Sequence, residues 1–151
     1  DQKLLFVGGM DYTFYAIDAA SGGLSWKYEA GGVFKTPAVA KDMTVYVKSE
    51  EGALFAFNIK PTHPGGGPKR NGELRWKIPL GERFLVKGKS NVYILGPKRE
   101  IYSMEEVTGN IIGRYPVRYL EHLITNTADG FFYVATNAGY LFCLRESAEN
   151  Y

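Results

Sequence analysis

The chain is poor in the residues that most often carry chemistry. Its 151 residues include one cysteine, Cys143, which excludes an intrachain disulfide and any zinc site built on several thiolates. It has two histidines, His63 and His122. They are far apart in sequence, lack the spacing of a metal-binding pair, and cannot by themselves argue for a Ser-His-Asp arrangement. Basic and acidic residues nearly balance, 18 against 16, for a formal charge of +2. That is too little to point to nucleic acid. No apolar run approaches the roughly 20 residues of a membrane-spanning helix. No stretch of a dozen residues holds the i, i+3, i+4, i+7 pattern of an amphipathic helix. The first residues, Asp1-Gln2-Lys3, carry neither a Met nor a signal-peptide pattern, as expected of a processed chain or a fragment.

What is abundant has one structural meaning. There are 11 Tyr, 9 Phe, 2 Trp and 18 Gly; aromatic and β-branched residues suit pleated strands, and glycine suits tight turns. Leu5-Phe6-Val7, Val45-Tyr46-Val47, Val92-Tyr93-Ile94 and Phe132-Tyr133-Val134 look alike, and their central aromatics lie 40, 47 and 40 residues apart. A second apolar strand follows each one. In these second strands the small residues Ala16, Ala56, Ser103 and Cys143 keep the same 40, 47 and 40 spacing. Two independent features with one period define an internal repeat. The longer middle interval is explained by Lys60 to Asn71, a segment rich in Pro and Gly that cannot be a strand interior and reads as a loop insertion.

Each repeat resolves into up to four short antiparallel strands. In the second repeat they fall near Thr36 to Ala40, Thr44 to Lys48, Ala53 to Asn58 and Glu73 to Ile78. In the third they fall near Phe84 to Lys87, Asn91 to Leu95, Glu100 to Glu105 and Ile111 to Val117. Four strands per forty residues is the pattern of a β-propeller blade, WD40-like in its strand count. A β-sandwich also uses many short strands but leaves the repeat unexplained. The sequence therefore predicts an all-β partial β-propeller over residues 1–151, with about four blades near 1–30, 31–80, 81–117 and 118–151. Two blades are complete and two are partial.

The first repeat holds the sharpest motif. Ala16-Ile17-Asp18-Ala19-Ala20-Ser21-Gly22-Gly23-Leu24-Ser25-Trp26 fits A-x-D-x-x-[ST]-G-x-x-x-W at every defined position. This resembles the repeat of the pyrroloquinoline-quinone (PQQ) dehydrogenase-like propellers. Asp18 and Ser21 can bond turn amides and Gly22 can supply a positive φ. The resemblance implies that Trp26 packs across to the neighbouring blade. Later copies decay. The second keeps Ala56, has Asn58 for the Asp, and resumes after the insertion with Gly72 and Trp76. The third keeps Thr108 and Gly109, with Ser103 and Glu105 for the Ala and Asp, and has Gly113 in place of the Trp. The fourth has Cys143 and Arg145 at the Ala and Asp positions.

The resemblance also sets expectations about function. Quinoprotein alcohol dehydrogenases of this fold hold PQQ beside a vicinal disulfide, with calcium or a lanthanide and an Asp base. One cysteine and no acidic cluster leave nothing for that chemistry here. No catalytic, cofactor or metal residue is expected, and PQQ with calcium enters only if the chain is part of a quinoprotein whose site lies elsewhere. The family also includes non-catalytic scaffolds of outer-membrane β-barrel assembly. The resulting expectation is an interaction scaffold, exported to the periplasm, cell envelope or exterior by family habit. Its partner would be another protein or the remaining blades of the same propeller, and a homodimer could close a ring. Neither nucleic acid nor a membrane span is expected. Lys60, His63, Lys69 and Arg70, in and beside the insertion, are the candidate surface contacts, set against a plain solvated loop. Cys143, in an apolar strand, is expected to be buried and inert.

Overall fold

The structure, a computed structural model, describes residues 3–62 and 70–146. Its backbone divides into two compact units, Asp1–Pro79 and Leu80–Tyr151. Among the described residues there is a single three-residue 3-10 turn, Pro97–Arg99, and all other regular structure is strand.

The first unit holds two antiparallel sheets. One is β1 (Leu4–Gly8), β2 (Thr13–Asp18) and β3 (Leu24–Glu29), in the order β1-β2-β3. The other is β4 (Val39–Lys41), β5 (Thr44–Lys48), β6 (Ala53–Asn58) and β7 (Leu74–Pro79), again in sequence order. β4 starts later than the sequence suggests. Pro37 has no N–H to give a ladder, and the Thr36 hydroxyl bonds the Lys48 carbonyl at 3.0 Å from outside the strand. The core of this unit is aromatic. Phe14, Trp26, Phe34, Phe55 and Phe57 are buried together, with Phe6 and Tyr28 packed on them. Ring centroids run from 4.8 Å for Tyr28–Phe57 to 6.2 Å for Phe6–Phe14, within the range where aromatic pairs attract.

The second unit also holds two sheets. β8 (Arg83–Lys87), β9 (Asn91–Gly96), β10 (Glu100–Glu105) and β11 (Ile111–Pro116) form a four-stranded sheet. β12 (His122–Leu123), β13 (Phe131–Ala135) and β14 (Leu141–Arg145) form a three-stranded one. The innermost strand β8 ties the two together. The Arg83 guanidinium donates to the Leu123 carbonyl at 2.5 Å, the Thr125 hydroxyl to the Phe84 carbonyl at 2.8 Å, and the Asn126 N–H to the Leu85 carbonyl at 2.7 Å. The buried set here is mainly aliphatic: Leu85, Val86, Ile101, Leu123 and Val134, with Tyr93.

One irregularity recurs in three sheets. Between the last two strands of each the register slips beside the small residue of the repeat, after Ala16, Ala56 and Ser103. Ala16 faces Trp26 and Ala56 faces Trp76, while Ser103 faces Gly113. The extra residue of each bulge is Ser25, Arg75 or Ile112. A bulge increases local twist and bends the strand. It therefore sets the angle at which the aromatic position projects from the outermost strand.

A second recurrence was not legible in the sequence. Positive φ values occur at Tyr12, Gly52, Arg99 and Gly139, which are again 40, 47 and 40 residues apart. The turns β1–β2, β5–β6, β9–β10 and β13–β14 need left-handed backbone at that place in every repeat. Two repeats meet the need with glycine and two with strained residues that carry side chains. At Arg99 the guanidinium donates to the carbonyls of Leu120 and Glu121, the latter at 3.0 Å.

Candidate functional site: the seat between sheets and its open counterpart

The repeat motif builds a defined turn in the first unit. The Asp18 carboxylate accepts from the Ala20 N–H at 3.1 Å, the Ser21 N–H at 2.8 Å and the Ser21 hydroxyl at 2.9 Å. The Ser21 oxygen in turn accepts from the Gly23 N–H at 3.2 Å. Gly22 takes φ +70, and its N–H bonds the Asp18 carbonyl at 2.8 Å. The third repeat rebuilds this turn with different residues. The Thr108 hydroxyl bonds the Glu105 carboxylate at 2.6 Å and accepts from the Asn110 N–H at 3.2 Å. Gly109 takes φ +73, and its N–H bonds the Glu105 carbonyl at 2.9 Å.

The turn delivers Trp26 into the space between the two sheets of the first unit. Its side chain is buried, with ring centroids 5.9 to 6.0 Å from Phe6, Phe14 and Phe57. Its indole N–H donates to the Ile59 carbonyl, beyond the end of β6, at 2.8 Å. Ala16 opposite is fully buried, which leaves the indole its room. Trp76 is buried against Tyr46, with ring centroids 5.7 Å apart, and faces the fully buried Ala56.

Gly72 is placed by contact and not by φ. A Cβ there would lie 2.8 and 2.9 Å from the Trp26 ring. The end of the insertion runs alongside β3: the Lys27 N–H bonds the Arg70 carbonyl at 3.0 Å, and the Gly72 N–H bonds the Lys27 carbonyl at 2.7 Å. Lys27 and Asn71 form a parallel bridge. This end of the insertion is therefore not a free solvated loop, because it covers the outer edge of a sheet, where unpaired backbone groups invite other strands. Of the candidate surface contacts, Lys60 and Arg70 are exposed, Arg70 being held by its carbonyl; His63 and Lys69 lie outside the described residues. His122 is exposed in β12.

Cys143 corrects an expectation: it is exposed. All five residues of β14 are exposed, because β14 lies at the edge of its sheet with one neighbour.

The second unit repeats the geometry around Trp26 with the indole missing. Positions 87 residues apart correspond: Trp26 to Gly113, Phe14 to Ile101, Ala16 to Ser103, Tyr28 to Tyr115, Phe57 to Leu144 and Ile59 to Glu146. A cavity of about 670 Å³ occupies this place, lined by Ile101, Ser103, Tyr115, Phe132, Leu144 and Glu146 among others. Its volume falls within the range of small-molecule sites, roughly 300–1,000 Å³. Glu146 forms the polar end. Its carboxylate accepts from the Lys89 N–H at 2.6 Å, the Ser90 N–H at 3.3 Å and the Asn91 side-chain amide at 2.7 Å. Burial, reinforced by the Glu146 carboxylate, pushes the Tyr93 phenol up to about 12, so this hydroxyl stays protonated at neutral pH. By sequence alone Gly113 is decay of the motif. The signal of a cavity was available in the simultaneous loss of Phe14, Trp26 and Phe57 equivalents, all to smaller residues.

Among the described residues no group of three or more His, Cys, Asp or Glu could hold a metal ion. Both tryptophans are committed to packing between or within sheets.

Four repeated antiparallel sheets of three or four strands, three of them with a bulge beside the small residue of the repeat, define a β-propeller protein. Residues 1–62 match the family model described as outer membrane protein assembly factor BamB. Over residues 1–62 the repeat is consistent with the PQQ-like repeat family. No curated protein sequence matches it. Among solved structures it is similar to BamB from Moraxella catarrhalis, with 20% identity and a TM-score of 0.64 over 93% of this chain and 42% of that one. It is also similar to the Myceliophteria thermophila Cps50 (Swd1) β-propeller domain, with 13% identity and a TM-score of 0.64 over 90% of this chain and 45% of that one. The computationally designed Ika4 protein gives 13% identity and a TM-score of 0.62 over 97% of this chain and 88% of that one. At these identities the likeness is one of fold. The chain spans less than half the length of the BamB and Swd1 structures it matches.

Proposed function

We propose that this chain is a non-catalytic scaffold, working in the cell envelope, that binds another protein through the outer part of its second unit. The observation that carries this reading is the apolar exposure around β14. Leu141, Phe142 and Leu144 on that strand are 69%, 43% and 47% exposed, beside Tyr140 at 66% and Phe131 at 38%. Apolar surface gathered in this way, on a strand whose outer edge has no neighbour among the described strands, is characteristic of protein–protein contact. The PQQ-like repeat and the match of residues 1–62 to the BamB family model support an interaction role over catalysis. They also support an envelope location, and no helix among the described residues is long and apolar enough to cross a membrane.

A photo-crosslinking residue at Phe142, introduced into the protein in its native cell, tests the reading. A crosslinked envelope protein that disappears when Leu141→Glu is added is the expected result. A crosslink only between copies of this chain would make it a ring-closing homodimer. Bound quinone detected by absorbance, together with calcium-dependent dye reduction, would replace the scaffold with a quinoprotein dehydrogenase.

A further inference from the structure

We propose that the cavity in the second unit is a receptor for a tryptophan side chain presented by a partner protein. The inference rests on the scaffold reading only for the source of that tryptophan. The first unit shows what this space is shaped to hold. There, Trp26 lies among Phe6, Phe14 and Phe57, opposite Ala16, with its N–H on the Ile59 carbonyl at 2.8 Å. In the second unit the corresponding walls are Tyr93, Ile101, Leu144 and Ser103, and together with Tyr115 they line the open volume of about 670 Å³.

The acceptor is conserved in kind but supplied differently. Glu146 stands at the position of Ile59 and offers a carboxylate where the first unit offers a carbonyl. Three donors, at 2.6, 2.7 and 3.3 Å, hold that carboxylate in place, so it is preorganised before any ligand arrives. Each carboxylate has about four acceptor sites; the three donors and the Tyr93 hydroxyl engage this one, so an indole N–H would take the place of the Tyr93 hydroxyl. Gly88 makes the arrangement possible, since a Cβ there would lie 2.4 Å from a Glu146 oxygen. At the mouth, Lys89 and Arg145 are exposed. They supply cations that attract an indole face, tryptophan being the best aromatic partner for a cation. The cavity thus combines an aromatic-sized apolar slot, a fixed anionic acceptor at its end and cations at its rim. Among side chains, indole has both the required apolar area and an N–H donor.

The test is isothermal titration of the whole chain with a five-residue peptide carrying one central tryptophan. Controls are the same peptide with leucine, free indole, and the Gly88→Ala and Gly113→Trp variants. The tryptophan peptide is expected to bind at least about tenfold more tightly than the leucine peptide and free indole, a difference of about 1.4 kcal/mol. Gly113→Trp, which fills the slot from within after the Tyr115 hydroxyl moves aside, is expected to lower its affinity at least about tenfold. If that variant fails to fold, Gly88→Ala displaces the flexible end of Glu146, presses on the Tyr93 ring and is expected to weaken binding severalfold. Amide NMR shifts on the wild-type chain should centre on Ile112, Phe132 and Leu144. Equal affinity for the tryptophan and leucine peptides, undiminished binding in both variants, or shifts centred elsewhere would overturn the site. Free indole binding as tightly as the peptide would overturn the protein source. Failure of the Phe142 crosslink with these results intact would fall on the scaffold reading and leave the cavity standing.

Discussion

The two units carry the same repeat and treat the space between their sheets in opposite ways. In the first, Trp26 fills it, bonds the Ile59 carbonyl and gathers Phe6, Phe14 and Phe57 around itself. In the second, Gly113 holds the equivalent place, the neighbouring side chains are smaller or more polar, and a cavity of about 670 Å³ remains. The turn that aims the outermost strand is nearly unchanged: Asp18-Ser21-Gly22 in one and Glu105-Thr108-Gly109 in the other. The frame of a blade is thus separable from what fills the gap beside it. Hydrogen bonds and the bulge maintain the frame, and a small number of large side chains decide whether the gap is core or cavity.

The strongest way to break the comparison is to empty the filled gap. Trp26→Ala removes a buried indole and its hydrogen bond, and is expected to destabilise the protein by about 3–5 kcal/mol, the usual loss for truncating a buried aromatic. Denaturant unfolding measures it. A loss below about 1 kcal/mol, which is ordinary for a point substitution, would mean that the indole does not lock the two sheets.

A smaller effect is expected at the end of the insertion. Gly72→Ala places a methyl 2.8 Å from the Trp26 ring, with the backbone on both sides pinned to Lys27. Overpacking of this kind costs about 1–3 kcal/mol. If Gly72→Ala is as stable as the wild type, residues 70–72 do not pack as described. Combined with Trp26→Ala the cost should largely vanish, because the two residues meet directly.

The smallest effect lies in the second unit and depends on pH. Phe6 in the first unit corresponds to Tyr93 in the second, and only the tyrosine titrates. In the folded chain its phenol is pushed from 10.0 to about 12. The folded state therefore holds the proton more tightly than the unfolded state. The resulting stabilisation is fully present below pH 10 and is lost as the pH rises toward 12. Melting temperatures of the wild type should fall more steeply over that window than those of Tyr93→Phe. Parallel curves for the two proteins would contradict the burial of this hydroxyl beside Glu146.

Much of the frame was legible in the sequence because it repeats. Strands alternating around Phe6, Tyr46, Tyr93 and Tyr133 mark the blades, and Ala16 to Trp26 spells out one complete turn. Features that depend on the far side of a contact were not legible. The later start of β4 follows from how Thr36 and Pro37 spend their hydrogen-bonding groups. The pairing of residues 70–72 with β3 is long-range and leaves no local pattern. Cys143 sits in an apolar strand and yet is exposed, because burial of β14 depends on a neighbour and not on its own composition. The left-handed turn position has no sequence mark where Tyr12 and Arg99 fill it in place of glycine. The cavity leaves one trace, a glycine where the motif has tryptophan.

The second unit keeps the seat of Trp26 with its occupant missing. A crystal structure of the Gly113→Trp variant tests this. An indole inserted between β10–β11 and β13–β14, packed on Leu144, with its N–H on Glu146, is the expected result. An indole turned to solvent, with Tyr115 still over position 113 and the cavity unfilled, would contradict it.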